Sequence, residues 1–597
     1  MKKVILFTAL FLSLLLAKGA STQELNLRNS IPDVMNNVNV VHNTPMGIKS
    51  FTLSLDSFPV FPGFPKAFQY TTFEGNIYCN MDADPDLEVV FNVGYTVQAL
   101  NKDGSNVPGW PKTVASYTLE GAPSFGDIDG DGLEEIVVTN HGLTSGGYIY
   151  AFKKDGTPVS GFPINHGYSS RTPVLADVNG DNKLDIIVNL RTYPTGKVYV
   201  YKYDGTVLPG WPKNIGHVPA SSAAVGDIDG DNSPEIVMES YTGLYVWKAN
   251  GDSIPGFPFM MPNGDVNSYS SPVLADVDGD NFKEIIFGTH VSGAGGFVYV
   301  LNKNGSVLPG WPKQTNYWIY GPPGVGYIDG DNLIDIAVGD QVISGTPVLQ
   351  LYAWNKNGVA LSGFPVSGLW AINSQPVLLD LDGDNNTEIV IDDNTQTGGI
   401  GYYLAFNHDG TPVAGWPKQV SGTTFFSTPS FGDIDRNGIL DMMGSGTVGS
   451  GNSAVTNVYV WNTQQAINWS KLQIPMWQYN SRHNGVYGDI MITGISNLET
   501  EVPSAFSLEQ NYPNPFNPIT KIKFQVPLCH SGVGRNPNVR MKVFDILGKE
   551  VATLVNESLQ PGTYEVTFDA ASLSSGVYFY KITAGDFSAI RKMVLVR

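Results

Sequence analysis

The stretch Asp127-Ile-Asp-Gly-Asp-Gly-Leu-Glu-Glu135, followed by Ile136-Val-Val138, is the clearest copy of a motif that repeats along this chain. The same pattern, Asp-x-Asp-Gly-Asp-(Gly/Asn)-x-x-(Asp/Glu) and then a β-branched run, occurs eight times, at intervals of roughly fifty residues. Five more clear copies start at Asp177, Asp227, Asp276, Asp380 and Asp433, and imperfect copies start at Asn80 and Tyr327. Recurrence at this period predicts a propeller or a solenoid.

The residues around each acidic loop predict four short strands. A strand such as Pro173–Val178 precedes the loop, and a buried strand such as Glu135–Val138 follows it. A third strand, as at Tyr148–Phe152, leads into an Asp-Gly or Asn-Gly turn, which is a strong hairpin signal. We predict a fourth strand that ends in Gly-Trp-Pro or Gly-Phe-Pro. Four antiparallel strands repeated radially make an all-β propeller, whose closed ring leaves no open sheet edge.

The number of loops favours eight blades, and seven is the alternative because one terminal unit is degenerate. The aromatic residue of the Gly-aromatic-Pro markers alternates between Phe and Trp, which favours an even number: Phe64, Trp110, Phe162, Trp211, Phe257, Trp311, Phe364 and Trp416. The segment near Phe51 to Pro65 resembles an outer strand without inner partners. We therefore predict that it completes the last blade and closes the ring.

The acidic loops have the ligand pattern of a hard cation, with oxygen side chains at positions one, three, five and nine. Calcium takes six to eight oxygens in flexible geometry, so it suits such loops better than magnesium. The candidate ligands are Asp82, Asp84, Glu88, Asp127, Asp129, Asp131, Glu135, Asp177, Asn179, Asp181, Asp185, Asp227, Asp229, Asp231, Glu235, Asp276, Asp278, Asp280, Glu284, Asp329, Asp331, Asp335, Asp380, Asp382, Asp384, Glu388, Asp433, Asp435, Asn437 and Asp441. Calcium is expected to be structural, because each loop without a cation holds mutually repelling carboxylates. Pro85 and Tyr327 break the pattern, so we expect the loops at Asn80 and Tyr327 to be weak or empty.

These loops and strands, over roughly Phe64 to Trp477, resemble the FG-GAP/VCBS repeats of integrin α-chain heads and bacterial surface proteins. The resemblance implies a β-propeller whose acidic loops bind calcium. It implies no single activity.

The last ninety residues change character. Gln510-Asn-Tyr-Pro-Asn-Pro-Phe-Asn-Pro, Asp545-Ile-Leu-Gly-Lys and Gly576-Val-Tyr-Phe-Tyr-Lys look like the C-terminal sorting domain of the type IX secretion system. The resemblance implies a small Ig-like β-sandwich, contact with the secretion machinery, and export to the cell surface or beyond. Leu528 to Asn538 departs from the pattern and is interpreted as a hairpin insertion.

The N-terminus predicts secretion. Lys2 and Lys3 precede an apolar run, Val4–Leu16, and small residues follow, which is the order of a signal peptide. The run is too short for a comfortable membrane span, so the mature chain is expected to have no transmembrane segment. We divide the chain into a signal peptide (1–20), an N-terminal linker (21–50), the propeller (51–487), a second linker (488–505) and the sorting domain (506–597).

The composition of the chain excludes some classes of binding partner. The net charge of −20 argues against nucleic acid and anionic membranes, because phosphate binding needs clustered Lys and Arg. The two cysteines, Cys79 and Cys529, are too few for a disulfide framework or a metal-ligand set, and we interpret them as inert thiols.

An aromatic face is the candidate ligand site. Residues that precede the inner strands should surround the channel on the side opposite the acidic loops, and they include Tyr117, Tyr168, His217, Tyr269, Trp318, Trp370 and Phe425. Such a ring could stack on sugars or peptide side chains, or it could only pack between blades.

Three functions are weighed. The leading expectation is a secreted or cell-surface calcium-binding protein, a non-catalytic adhesion or ligand-binding protein that engages a polysaccharide or another protein. The first alternative is a polysaccharide lyase or hydrolase on a propeller scaffold, although no HExxH or GxSxG motif and no carboxylate pair marks a catalytic centre. The second is a structural envelope component.

Overall fold

The computed structural model of the chain describes residues 38–44, 47–53, 58–82, 84, 86–114, 118–140, 147–167, 171–181, 183–219, 221–231, 233–262, 266, 269–291, 295–331, 333–341, 349–393, 400–424, 427–468, 471–488, 496–499, 506–526, 538–558, 562–570, 573–584 and 587–596. The predicted signal peptide lies outside these residues. Their regular structure is β throughout, apart from one 3₁₀ turn at Gly451–Ser453. Within this part of the chain, no helix is long and apolar enough to cross a membrane.

Eight four-stranded antiparallel sheets, numbered 1 to 8 in chain order, account for the described strands from residue 66 to residue 466. Two strands precede them as a hairpin, β1 (Val38–Thr44) and β2 (Gly47–Leu53), and β3 (Lys66–Gln69) follows. Sheets 1 to 3 consist of β4 (Asn76–Cys79), β5 (Glu88–Val93), β6 (Thr96–Leu100) and β7 (Lys112–Thr113); β8 (Ser124–Gly126), β9 (Glu135–Thr139), β10 (Tyr148–Lys153) and β11 (Ile164–Asn165); β12 (Val174–Ala176), β13 (Asp185–Leu190), β14 (Thr195–Tyr201) and β15 (Lys213–Gly216). Sheets 4 to 6 consist of β16 (Ala224–Gly226), β17 (Glu235–Ser240), β18 (Gly243–Trp247) and β19 (Phe259–Met260); β20 (Val273–Ala275), β21 (Glu284–Gly288), β22 (Gly296–Leu301) and β23 (Lys313–Thr315); β24 (Gly324–Gly326), β25 (Asp335–Gly339), β26 (Leu349–Asn355) and β27 (Val366–Leu369). Sheets 7 and 8 consist of β28 (Val377–Leu379), β29 (Glu388–Asp393), β30 (Ile400–Phe406) and β31 (Lys418–Ser421); β32 (Ser430–Gly432), β33 (Ile439–Val448), β34 (Val455–Ala466) and the early strand β3.

The eighth sheet closes the series. Its outer strand is β3, which pairs with β34 in the register Lys66↔Val458, and its inner strand donates from Ser430 Oγ to the Asn76 carbonyl of sheet 1 (2.7 Å). Repeated four-stranded antiparallel sheets joined in this way fit a propeller-like fold, so the all-β prediction is confirmed. The predicted closing segment was placed too early, because Phe51 belongs to the β1–β2 hairpin and the closing strand starts at Lys66.

The Gly-aromatic-Pro markers precede the outer strands, so the prediction that the outer strand ends in the marker was wrong. In sheet 1 the marker ends at Pro111 and β7 starts at Lys112. The marker contacts the turn of the next sheet: Trp110 Nε1 donates to the Lys154 carbonyl (2.7 Å), and a Cβ on Gly109 (φ +90°) would lie 2.2 Å from the Asp155 carbonyl oxygen. The glycine is therefore required by close approach as well as by its positive φ.

The hydrophobic core lies between neighbouring sheets. One cluster joins Val137 of sheet 2 to Ile186 of sheet 3, and both side chains are fully buried. The continuous apolar runs of β9 and β13 give each sheet two apolar faces, which is the pattern expected of strands covered on both sides.

The segment 472–487, called the plug segment from here on, lies inside the ring of inner strands. Its backbone carbonyls at Pro475, Ser481, Arg482, Asn484 and Gly485 accept from inner strands of sheets 8, 2, 3, 4 and 5, and the Gln473 N–H donates to sheet 7 (2.7–3.0 Å). Trp477 is only 1% exposed. Sequence analysis assigned this segment no role, and it fills the channel around which the aromatic ring was predicted.

The C-terminal residues form two further four-stranded sheets, of order β35-β40-β37-β36 and β39-β38-β41-β42. Their strands are β35 (Ser496–Glu499), β36 (Ser507–Leu508), β37 (Ile519–Val526), β38 (Asn538–Phe544), β39 (Glu550–Ser558), β40 (Gly562–Asp569), β41 (Gly576–Ala584) and β42 (Phe587–Leu595). Both sheets contribute to one core, in which Phe524 and Tyr564 cluster with Met541 and Tyr580. β35 occupies part of the predicted linker, β39 was not predicted, and the predicted insertion has only Asn538, its last residue, within the described chain.

Candidate functional site

The acidic loops connect the inner strand of each sheet to the second strand, and their own carboxylates shape them. In sheet 2, Asp129 Oδ1 accepts the Asp131 N–H (3.1 Å) and Asp131 Oδ1 accepts the Leu133 N–H (2.8 Å). Asp127 accepts the N–H groups of Gly130 (2.7 Å) and Gly132 (2.9 Å) with its two oxygens. The backbone is thus wound around the carboxylates, which is the conformation that Asx turns favour.

The carboxylates of a loop converge on one point. In sheet 7, ligand atoms of Asp380, Asp382, Asp384 and Glu388 all lie within 4.8 Å of one another. Three-carboxylate clusters of the same kind are Asp82-Asp84-Glu88, Asp127-Asp129-Glu135, Asp227-Asp229-Glu235 and Asp276-Asp278-Glu284. Clusters of hard oxygen atoms at this spacing could hold a metal ion.

The position-nine carboxylate has the same environment in all eight loops. One of its oxygens accepts the backbone N–H of position two, as in Ile128→Glu135 (3.0 Å) and Ile434→Asp441 (2.9 Å). The equivalent bonds in the other loops join Met81 to Glu88, Val178 to Asp185, Ile228 to Glu235, Val277 to Glu284, Ile328 to Asp335 and Leu381 to Glu388. The second strand therefore holds this side chain beneath the loop.

The other oxygen of this carboxylate is the observation that fits a cation. In six loops it is buried and has no hydrogen-bond partner among the described residues: Glu88 Oε1, Glu135 Oε1, Glu235 Oε1, Asp335 Oδ1, Glu388 Oε1 and Asp441 Oδ1. A buried acceptor without a partner is costly, and a bound metal ion would satisfy it. The carboxylates at positions one, three, five and nine would hold the ion, whose positive charge would neutralise them.

Burial affects the charge of these groups. It is the largest cause that raises the pKa of the position-nine carboxyls, to about 8 for Glu88, Glu135, Glu388 and Asp441. The pKa rises to about 7 for the other four, Asp185, Glu235, Glu284 and Asp335. The neighbouring loop carboxylates raise it further, because like charges disfavour ionisation.

An aromatic strip lies at the opposite ends of the strands in sheets 3 to 6; it consists of Tyr193, His217, Tyr241, His290, Trp318, Tyr320 and Tyr269. Each ring contacts the next, with centroid distances of 5.3, 4.6, 6.0, 4.6, 6.1 and 5.0 Å in that order. Tyr193 is 66% exposed, whereas His290 and Tyr320 are buried. Trp318 is fixed by a hydrogen bond from Nε1 to the Val291 carbonyl (3.1 Å).

Two parts of the chain are similar to known protein families. Residues 127–188, from the first aspartate of the sheet 2 loop to β13, match the family described as FG-GAP-like repeat, and residues 510–596 match the secretion system C-terminal sorting domain. The chain carries both modules. The sorting domain marks export by the type IX system to the cell surface or outside. None of the curated proteins matches the chain.

Among solved structures, the Vibrio cholerae biofilm matrix protein Bap1 is 14% identical with a TM-score of 0.35, covering 72% of this chain and 95% of that one. The WD40 domain of SCAP from fission yeast is 9% identical with a TM-score of 0.34, covering 68% and 98%.

The acidic loops differ in detail from sheet to sheet. Tyr327 takes position one in sheet 6, where its N–H donates to Gln473 Oε1 of the plug segment (2.7 Å). In sheet 1, Asn80 Nδ2 donates to the Asp84 carbonyl (3.1 Å), although Asp82, Asp84 and Glu88 still converge. The expectation that these two loops bind weakly stays a prediction.

The predicted ligand residues separate in the structure. His217, Tyr269 and Trp318 belong to the aromatic strip, and Trp370 is half-buried, with its N–H donating to Asp393 Oδ1 (2.7 Å). Tyr117, Tyr168 and Phe425 lie outside the described residues. Sequence reasoning missed Tyr320, which precedes the inner strand of sheet 6, and also Tyr193, Tyr241 and His290, which follow the second strands of their sheets. Strand order could have located Tyr193, Tyr241 and His290. The connection between the second and third strands lies at the same end of a sheet as the residues that precede its inner strand.

Proposed function

We propose that this chain is an exported, calcium-stabilised, eight-bladed β-propeller that binds a polysaccharide outside the cell without catalysing a reaction. Each of the eight sheets is one blade, and the C-terminal sheets form an Ig-like sorting domain. The unpartnered position-nine oxygen carries the calcium part of the proposal. It recurs in six loops, and it lies in a cluster of carboxylates whose mutual repulsion a bound cation would neutralise.

The aromatic strip supports ligand binding. Half-exposed Trp318, Tyr241, His217 and Tyr269 lie side by side on one face, beside the strongly exposed Tyr193. Aromatic rings with polar edges stack on sugar rings and donate to hydroxyl groups. The plug segment occupies the channel, so a ligand would lie across this face instead of inside the ring.

The chemistry of the strip supports binding over catalysis. Burial lowers the pKa of His290 to about 4 and also lowers that of His217, so both imidazoles are neutral at pH 7, and the lowered pKa makes each a weaker base than an exposed histidine. The nearby acid and base, Glu74 and Arg171, pair with each other at 2.5 Å in a buried site. A lyase would need a base and a charge-neutralising group that both reach the substrate.

The test is a glycan array probed with the full chain in calcium and in chelator. We expect binding that Trp318→Ala and Tyr241→Ala abolish. The matched control is Tyr512→Ala, which removes an aromatic ring that is 81% exposed in the C-terminal domain. Binding lost equally in the control, or no binding to any glycan, would contradict the polysaccharide proposal and favour a protein partner or a structural envelope role.

A further inference from the structure

One position of the repeat varies in charge, and it lies beside the acidic loop. This position lies on the third strand, and its residue pairs with the position-nine carboxylate residue of the second strand. The strand register shows this in the pairs Lys153↔Glu135, Asn355↔Asp335 and Asn462↔Asp441. Sheets 2, 3 and 4 have lysine here, namely Lys153, Lys202 and Lys248. Sheets 1, 5, 6, 7 and 8 have asparagine, namely Asn101, Asn302, Asn355, Asn407 and Asn462.

The lysines reach into the acidic loop of their own sheet. Lys248 Nζ lies 3.1 Å from Asp229 Oδ2 and 2.6 Å from Asp231 Oδ2, at positions three and five. Lys153 Nζ lies 3.7 Å from Asp131 Oδ2, and Lys202 Nζ lies 4.0 Å from Asp181 Oδ2. In all three sheets the lysine ammonium group contacts Oδ2 of the aspartate at position five. Because Oδ1 of that residue already accepts a backbone N–H, Oδ2 is the oxygen left for a cation.

The asparagines do not make this contact, because they bond within their own turn. Asn302 Oδ1 accepts from Asn304 and Ser306 (both 3.0 Å), and Asn355 Oδ1 accepts from Asn357 and Val359. Asn407 Nδ2 donates to Thr411 Oγ1 (2.9 Å), and Asn101 Nδ2 donates to Ser105 Oγ (2.9 Å). A short amide side chain closes the hairpin, whereas the longer lysine passes the hairpin and places its charge at the loop.

We propose that an ammonium group tethered at position five makes calcium binding weaker in sheets 2, 3 and 4 than in sheet 7, whose four loop carboxylates converge without such a contact. Sheets 1, 5 and 8 are left out of this contrast, because Lys102 contacts Asp86 (2.7 Å), Lys356 donates to the Asp278 carbonyl (3.3 Å) and Arg436 stands within the sheet 8 loop. The inference rests on the calcium binding proposed above. An ammonium group on Oδ2 competes with the ion for the same oxygen, and once displaced it still repels a divalent cation a few ångströms away. We expect this repulsion between partly exposed charges to weaken calcium binding by about tenfold at each loop.

A second consequence concerns the chain without calcium. In sheets 2, 3 and 4 the lysine offsets part of the repulsion among the carboxylates. We therefore expect these sheets to keep their amide protection in chelator, while sheet 7, whose loop has a complete ligand set and asparagine at this position, loses it first.

The test counts calcium ions bound to the full chain by equilibrium dialysis with radioactive calcium after chelator treatment. The triple variant Lys153→Asn/Lys202→Asn/Lys248→Asn copies the asparagine sheets, and we expect it to gain three tight sites, each about tenfold stronger. The converse variant Asn302→Lys/Asn407→Lys should lose two. Lys→Met at the same three positions removes the charge without the turn-forming amide and should give the same gain, which keeps the test valid if the asparagine variant folds poorly.

The matched control changes three exposed lysines of the C-terminal domain, Lys549, Lys581 and Lys592, to asparagine, so the net charge changes equally far from the loops. The inference is overturned if the loop variants bind like the parent chain, or if the control shows the same gain. A parent chain that binds no calcium would overturn the calcium proposal itself. Hydrogen exchange in chelator provides the independent readout by sheet.

Discussion

Arg171 and Glu74 form a buried ion pair between sheets that are not neighbours. Glu74 precedes the inner strand of sheet 1, Arg171 precedes that of sheet 3, and the Arg171 Nη1–Glu74 Oε1 distance is 2.5 Å. The Arg171 guanidinium also lies 4.4 Å from the centroid of Tyr269 in the aromatic strip, and Thr172 donates to Glu74 from its backbone N–H (3.2 Å). One ion pair thus connects the floor of the proposed ligand face to three sheets.

Removing one partner of this pair should destabilise the propeller. Arg171→Met leaves the Glu74 carboxylate buried without its counter-ion, and we expect a loss of about 3–5 kcal/mol in the free energy of unfolding, measured in urea with calcium present. The double variant Arg171→Met/Glu74→Gln should recover much of the loss. Equal losses in the single and double variants would show that packing, and not the buried charge, explains the effect.

Glu135→Gln tests the position-nine carboxylate. The amide cannot supply the charged oxygen that faces the loop, so we expect one fewer bound calcium. The calcium-dependent stabilisation should fall by about 2–3 kcal/mol at a calcium concentration hundredfold above Kd. The adjacent Glu134→Gln is the control, because Glu134 faces Lys154 (2.8 Å) and not the cluster. If both variants lose calcium equally, position nine has no special role.

The buried Glu239 should make the stability of the folded chain depend on pH. It is 1% exposed, neither of its oxygens has a hydrogen-bond partner among the described residues, and burial raises its pKa well above the usual range. Folding therefore favours the protonated form, and the free energy of unfolding falls as pH rises above the unfolded pKa. Glu239→Gln removes this penalty. The variant should equal the parent at pH 4 and exceed it by at least about 1 kcal/mol at pH 8 in thermal unfolding.

The repeat explains why glutamine should fit there. Asn92 and Asn189, at the same position of sheets 1 and 3, donate from Nδ2 to the carbonyls of Gly121 (2.7 Å) and Ser221 (2.9 Å) in the following sheet. A parent chain that keeps its stability from pH 4 to pH 8 relative to the glutamine variant would contradict this account of Glu239.

Trp477 tests the plug segment. Trp477→Ala empties a fully enclosed volume, and we expect a cost of about 3–5 kcal/mol in the free energy of unfolding. Tyr193→Ala, which removes an exposed ring, should change it by less than about 0.5 kcal/mol. Near-equal effects of the two substitutions would mean that the plug segment does not hold the ring together.

Much of the fold followed from local signals. The Asp-Gly turns, the β-branched runs and the acidic loops each report on a few adjacent residues, so the four-stranded repeat could be predicted. The plug segment could not, because its partners, such as Phe125 for Ser481, are hundreds of residues away and its polar composition resembles a loop. The outer strands were misplaced because the Gly-aromatic-Pro marker looks like a strand end, while its conformation depends on the turn of the next sheet.

The candidate sites also contain residues that the sequence predicted and residues that it did not predict. The loop carboxylates are consecutive in sequence and were all predicted, although their shared position-two hydrogen bond became visible only in the structure. The aromatic strip combines residues from four sheets, and only three of those preceding inner strands, His217, Tyr269 and Trp318, were predicted. Lys153, Lys202 and Lys248 carried no signal by themselves, because their relation to Asp131, Asp181 and Asp231 depends on strand register.

The position of the plug segment has a mechanical consequence. The plug segment precedes the C-terminal domain in the chain. Its hydrogen bonds reach the inner strands of sheets 2, 3, 4, 5, 7 and 8. Tension applied through the C-terminal domain would therefore load many inner strands in parallel before it could peel the last sheet. A protein held at its C-terminus in flowing liquid would resist shear as one unit.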